Sequence, residues 1–187
     1  MKLFIAGSAS DKINKKYFEG IEKIAEYITQ NGHSIVYIGS GSGTIGKMCK
    51  EVQKRGGIVD VFVPEVYASE AEHMTFNSKK IVDSLFTVQQ LFLHNSDVTL
   101  VLPGGNGTLA ELFMITDNIK TKFDTDPVLI YNVNGFYNCV KDTIDFMKDA
   151  GAMTDIQYKY FNFFETPQAI IKELEKIDLS LKNKSDK

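Results

Sequence analysis

Val98-Thr99-Leu100-Val101-Leu102-Pro103-Gly104-Gly105-Asn106-Gly107-Thr108-Leu109-Ala110-Glu111 joins a run of strand-forming residues, a glycine turn, a hydroxyl and a carboxylate in one stretch. Apolar residues at helical spacing follow, so the reading is a strand over Asp97–Leu102, a turn, and a helix from Leu109 to Ile119. This order sets the backbone N–H groups of the turn and the Thr108 hydroxyl at a helix N-terminus, where the helix dipole favours a phosphate. Glu111 follows within the helix start. A carboxylate facing the phosphate would weaken binding, so its use is on a neighbouring part of the ligand, as acid, base or acceptor for a sugar hydroxyl.

The same unit recurs on both sides. Lys2–Ala6 is a short apolar run ending at Gly7-Ser8, and Tyr17–Gln30 carries Phe18, Ile21, Ile24, Ala25 and Ile28 at helical spacing before Gly32. Ser34–Ile38 reads as the next strand, Gly39–Gly46 as a glycine and serine loop, and Thr44–Arg55 as a helix closed by Gly56-Gly57. A strand over Ile58–Val63 ends at Pro64. Glu65–Thr75 has no clear period, Asn77–Leu93 reads as one helix, and Pro127–Tyr131 as a further strand. Helices over Gly135–Asp149 and Thr166–Lys176 complete the pattern, the last with a threonine cap and first-turn proline. Phe161, Phe163 and Phe164 alternate with polar residues in an edge strand. Strands alternating with helices predict an α/β fold: a Rossmann-like, doubly wound parallel sheet with helices on both faces and ligands at the carboxyl ends of the strands. The expected organisation is one domain over residues 1–177, with a frayed polar tail over 178–187.

Composition narrows the partners. The 187 residues are 43% apolar, enough for one core, and the net charge is -3. No cluster of four or more basic residues is present, which argues against nucleic acid as a partner. Cys49 and Cys139 show neither CxxC nor Cys/His spacing, so neither a disulfide framework nor a metal site is expected. No stretch reaches the length of a bilayer span, and the reading is a cytoplasmic protein without a membrane partner.

Gly39-Ser40-Gly41-Ser42-Gly43-Thr44-Ile45-Gly46 is a second anion cradle in prospect. It is not a Walker loop, because no GK[ST] follows, and it departs from GxGxxG in register. The competing reading is that its glycines serve tight turns and close helix–strand packing. In a parallel sheet this loop, the Gly7-Ser8 turn and the Pro103 turn lie on one edge, where they would surround one anionic ligand.

PGGNGTLAE resembles the PGGxGTxxE signature of the Lonely Guy (LOG) family. Val36–Gly46 is similar to that family's YGGGxxGxMG loop, Gly56–Pro64 to its GGxVxGVxP strand, and Pro127–Tyr137 to its KPVxLLNxxGYY segment. The resemblance spans residues 1 to about 175. It implies phosphoribohydrolases that cut the N-glycosidic bond of cytokinin or adenosine 5'-monophosphates, giving free base and ribose 5-phosphate. It implies no cofactor; the older lysine decarboxylase label finds no lysine placed for a pyridoxal Schiff base. By the resemblance Glu111 is the catalytic carboxylate. Gly7, Ser8, Gly39, Gly43, Gly104, Gly105, Gly107 and Thr108 would hold the phosphorylated nucleoside, and a homodimer or higher homo-oligomer is implied.

One departure stands out. The family's MxxRK segment, counted back without a gap from Ser96-Asp97, falls on Leu85–Gln89. Val88 then occupies the arginine position and Gln89 the lysine position. Such a site binds but cleaves slowly or uses another partner. Lys79, Lys80 and His94 are the substitutes on the same expected helix. The alternative function is therefore a non-catalytic nucleotide or molybdenum-cofactor binding protein of the same fold, and a deoxyribosyltransferase-like enzyme ranks below both. Elsewhere, His33 reads as a surface turn residue, His73 as a loop residue for which a place at the ligand entrance is the less favoured reading, His94 as a helix cap, and Asp117 as solvated.

Overall fold

The computed structural model describes residues 1–69, 71–118 and 127–185. Among these, seven strands form one parallel sheet: β1 (Lys2–Ala6), β2 (Ser34–Tyr37), β3 (Ile58–Pro64), β4 (Ser78–Val82), β5 (Val98–Val101), β6 (Val128–Tyr131) and β7 (Asn162–Phe164). Their spatial order is β4-β3-β2-β1-β5-β6-β7, with every neighbouring pair parallel. The chain winds outward from β1 to β4, then returns to the other side of β1 with β5. That reversal makes the β1/β5 boundary a switch point, where the loops after the two strands diverge and leave a crevice.

Alternation along the strands divides the core between two faces. Leu3 and Ile5 belong to one buried cluster with Ile35, Val61 and Leu100, which packs against α1 (Ile21–Gln30), α2 (Gly43–Lys54) and, by way of Ile170 and Leu174, the C-terminal helix. Phe4 and Ala6 belong to the other, with Val101, Val128 and Ile130. That second face is covered by α3 (Leu85–Asn95), α4 (Asn106–Asn118) and α5 (Asn138–Asp149), through Val88, Phe92, Leu112, Ile115 and Ile144. A short α6 (Asp155–Tyr158) precedes β7, and α7 (Pro167–Ser185) closes the chain. Helix α1 shows why the pattern folds this way: Ile21, Ile24, Ala25 and Ile28 recur one turn apart and are all fully buried.

Several expectations are corrected. The single helix over Asn77–Leu93 is instead strand β4 followed by α3. The side chain and backbone of Asn77 fasten the start of β4 to Val59, and Ser84 caps α3 by accepting from the Thr87 N–H at 3.2 Å. Lys79 and Lys80 therefore stand on the sheet's edge strand, not on the helix that carries Val88. Helix α4 starts at Asn106, three residues before the expected Leu109, while its expected end at Ile119 lies outside the described residues. The segment from Asp178, expected as a frayed tail, continues α7 to Ser185: Leu181 packs on the core and Lys182 pairs with Asp178 at 2.6 Å. His33 is buried, not superficial, with Nδ1 3.3 Å from the Met1 amine.

The loops at the switch point are joined by one buried hydroxyl. Thr44 Oγ1 accepts from the Ser8 N–H at 2.9 Å and donates to the Pro103 carbonyl at 2.8 Å. Thr44→Val keeps the shape and removes the bridge, leaving the Pro103 carbonyl only the longer 3.2 Å contact from the Ser8 N–H and that N–H without the hydroxyl it shares. Urea unfolding should show a loss of about 1–3 kcal/mol, with Thr44→Ser close to the parent.

Candidate functional site

At the carboxyl edge of the sheet lies a cleft of about 560 Å³, the size range of small-ligand sites. The loop after β1 supplies Gly7, Ser8, Ala9 and Ser10, and the loop after β2 supplies Ile38, Gly39 and Ser40. The turn after β5 and the start of α4 supply Gly105, Gly107, Thr108, Ala110 and Glu111. The three turns do converge on one space. Tyr67, Leu85 and Gln89 form a further wall.

Two glycines singled out in the sequence are placed elsewhere. Gly43 and Gly104 are not among the lining residues. A Cβ on Gly43, where φ is +66°, would meet the Ser8 carbonyl at 2.1 Å, and one on Gly104 would meet the Ser8 nitrogen at 2.7 Å. Both let the loops touch, which is the packing reading of these glycines.

The two helix N-termini beside the cleft differ in what they have free. At α2 the Gly43 N–H donates to Asp11 Oδ1 at 2.9 Å and the Ile45 N–H to the Ser8 carbonyl at 3.3 Å. The Gly43 N–H and the Ser42 hydroxyl hold the Asp11 carboxyl below the usual carboxylate range. An anion from the chain itself thus occupies that terminus. At α4 the first helical bond is Leu109 N–H to the Gly105 carbonyl at 3.0 Å. Among the described residues, none accepts from the N–H groups of Asn106, Gly107 or Thr108. Unsatisfied donors at a 13-residue helix's start are what an anionic oxygen needs.

Glu111 stands on the second turn of α4, half-buried in the cleft wall. Burial pushes its carboxyl up to about 8. Among the described residues nothing offsets that desolvation: none that lines the cleft is a lysine, arginine or histidine, and none donates a hydrogen bond to Glu111. The Tyr137 hydroxyl, nearby, is committed to the Leu102 carbonyl at 2.7 Å. Among the described residues, no group of three or more His, Cys, Asp and Glu is placed to hold a metal ion.

The position counted as the family's arginine does not reach the cleft. Val88 is 1% exposed and belongs to the core cluster with Phe92 and Leu112. Gln89 lines the cleft, with Leu85 one turn before it. His73 and His94 are exposed and outside the lining. Asp117 is exposed but accepts from Gln157 Nε2 at 3.3 Å. Thr44, Asp11, Tyr67 and the cleft-facing role of Gln89 were not singled out from the sequence. The capping pattern Ser84-x-x-Thr87, which fixes where α3 begins, is the signal that would have given the last.

Residues 43–174 match the family described as "Possible lysine decarboxylase". The chain belongs to this family, the Lonely Guy family. Over 170 residues, 90% of this chain and 74% of the other, it is 26% identical to a cytokinin riboside 5'-monophosphate phosphoribohydrolase of Arabidopsis thaliana. The molybdenum cofactor carrier protein of Chlamydomonas reinhardtii superposes with a TM-score of 0.68 at 14% identity, covering 94% of this chain and 96% of that one. A molybdenum cofactor binding protein of the phototrophic bacterium Rippkaea orientalis gives 0.67 at 14%, covering 94% of each. These two structures share the Lonely Guy chain's fold. Among the described residues, no helix is long and apolar enough to cross a membrane.

Two outcomes follow from this geometry. Because the native state holds the Glu111 proton to about pH 8 and the unfolded chain releases it near 4.5, stability falls as pH rises between those values. Glu111→Gln removes that dependence, so its advantage over the parent in urea unfolding should grow between pH 5 and 8, by on the order of a few kcal/mol. Val88→Arg should not restore a family site; it places a cation among apolar side chains and should lower the unfolding midpoint sharply, by roughly 3 kcal/mol or more.

Proposed function

We propose that the protein hydrolyses the N-glycosidic bond of a nucleoside 5'-monophosphate of the cytokinin or AMP type, releasing free base and ribose 5-phosphate. The observation that carries this reading is the juxtaposition on α4 of free N–H groups at the helix start and a protonated carboxyl on its second turn, in one cleft. The phosphate sits on the N–H groups of Asn106, Gly107 and Thr108, with the hydroxyls of Ser8 and Ser10 beside it. Gly105, whose missing side chain would meet nothing within 4 Å, leaves room for the ligand, while Gly7 and Gly39 let the loops that line the cleft pack closely. Fixing the phosphate fixes the sugar relative to Glu111, which lowers the entropic part of the barrier.

With no cation beside it, Glu111 holds its proton at neutral pH and acts first as acid. The C1'–N bond breaks, its electron pair stays on the base nitrogen, and the Glu111 proton goes to the base. Water adds its oxygen to C1', and its released proton returns to the Glu111 carboxylate. Atoms balance: one water enters, and base and ribose 5-phosphate leave. The ligand is a small phosphorylated nucleoside, and the working form is a cytoplasmic homo-oligomer. Leu85, Phe86, Ile81 and Val66, all exposed by 45% or more, supply an apolar surface near the cleft for that assembly.

A second reading is non-catalytic binding of a nucleotide or of the molybdenum cofactor. Among the described residues no cation lines the cleft, which favours it, because cleavage without a cation forgoes stabilisation of developing charge.

Incubating the protein with AMP and other 5'-monophosphates and following free base separates the two. Base release should be flat at low pH and fall as pH rises through about 8, and Glu111→Gln should abolish it while ligand affinity stays within a few fold. A rate that rises through pH 8 would make Glu111 the base instead. No release with enzyme near substrate concentration, while AMP still raises the Tm, selects the binder.

A further inference from the structure

We infer that Gln89 is the residue that reads the nucleobase, by pairing its carboxamide with a ring edge that presents one donor beside one acceptor; this rests on the cleft receiving a nucleoside 5'-monophosphate. Helices α3 and α4 both begin at the carboxyl edge of the sheet and lie on the same face of it. Their second turns bring Gln89 and Glu111 into one cleft. The free N–H groups of α4 and the serine hydroxyls form one chemical region of the lining. The lining also carries the apolar side chains of Ile38, Tyr67 and Leu85, and Gln89 stands one helical turn after Leu85.

Three observations support a recognition role. Gln89 is half-buried, yet among the described residues nothing hydrogen-bonds its carboxamide, so both its donor and its acceptor are available to a ligand. Leu85, one helical turn before it, and the aromatic ring of Tyr67 in the same cleft offer flat and apolar surface suited to a heterocycle and unsuited to a phosphate. The helix needs nothing from this side chain, because α3 is capped by Ser84 and seated on the core through Val88 and Phe92. A carboxamide carries no charge, so it adds no pull on the phosphate. What it adds is discrimination among the groups attached to C1'.

The adenine edge, with its 6-amino donor next to a ring nitrogen acceptor, satisfies the carboxamide fully. Unsubstituted purine offers ring nitrogens alone and leaves the carboxamide oxygen unpaired. The test is calorimetric titration of the protein and of Gln89→Leu with three probes: AMP, purine riboside 5'-monophosphate and ribose 5-phosphate. Circular dichroism and Tm confirm that the variant is folded, as leucine is a good helix former. Gln89→Leu should weaken AMP about ten-fold while leaving ribose 5-phosphate unchanged, and purine riboside 5'-monophosphate should bind parent and variant within two-fold of each other. AMP binding unchanged in Gln89→Leu overturns this inference alone, since the phosphate and sugar are still held. Equal loss of AMP and ribose 5-phosphate also overturns it, by making Gln89 a structural residue. Failure of all three probes to bind the parent overturns the nucleotide reading together with the inference.

Discussion

A single hydroxyl holds the switch point together. Thr44 Oγ1, fully buried at the start of α2, accepts a hydrogen bond from the Ser8 N–H and donates one to the Pro103 carbonyl, and the Ser8 N–H also reaches Pro103 O at 3.2 Å. Loops following β1, β2 and β5 are thereby brought to van der Waals contact. That contact dictates the residue types around it. A Cβ on Gly7 would strike Thr44 Oγ1 at 2.7 Å, and one on Gly43 or Gly104 would strike the Ser8 backbone. The glycine richness of these loops is first a packing demand, and the cleft is what the packed loops leave open.

The same arrangement determines which helix terminus is free. Asp11 occupies the N-terminus of α2 from within the chain, so of the two helix starts beside the cleft it is that of α4 whose N–H groups have no acceptor among the described residues. Glu111 is the sixth residue of α4, beyond the first turn where the helix dipole acts strongly on a side chain. It receives the desolvation of the cleft wall without the compensation a residue at the helix start would have. Hence its proton is retained near neutral pH, and the carboxyl differs in kind from Asp11, which is exposed and hydrogen-bonded in its charged form.

Much of this was legible in the sequence. Strands β1, β2, β3, β5 and β6 are short runs of branched apolar residues bounded by glycine, proline or asparagine, and buried strands of a parallel sheet announce themselves in that way. Asn132 and Tyr137, within the segment similar to the family's, also have a physical role: Asn132 Oδ1 accepts from the Tyr137 N–H at 2.6 Å, which sets the Tyr137 hydroxyl beneath the Pro103 turn. Strand β4 was not legible. It is an edge strand with Lys79 and Lys80 exposed, and its apolar residues Ile81 and Val82 fall into helical register with Leu85 and Val88. His33 misled because a residue after Gly32 reads as a turn, while its burial comes from Met1 and α7, both distant in sequence.

Alignment and geometry part company on α3, and the reason is helical phase. Counting residues identifies Val88 with a family arginine, but Ser84 begins the helix, and from there Leu85 and Gln89 share one face while Val88 and Phe92 share another. The sheet claims the second face, because Phe92 stacks on Phe4 of β1 with ring centroids 3.9 Å apart. A cation at position 88 would have to break that seat to approach the cleft. Position 89 reaches it without any rearrangement, and there this chain carries an uncharged carboxamide. Since a cation on that wall would favour the charged form of Glu111, the residue at 89 bears on both the contact available to the base and the protonation state of the carboxyl that would release it.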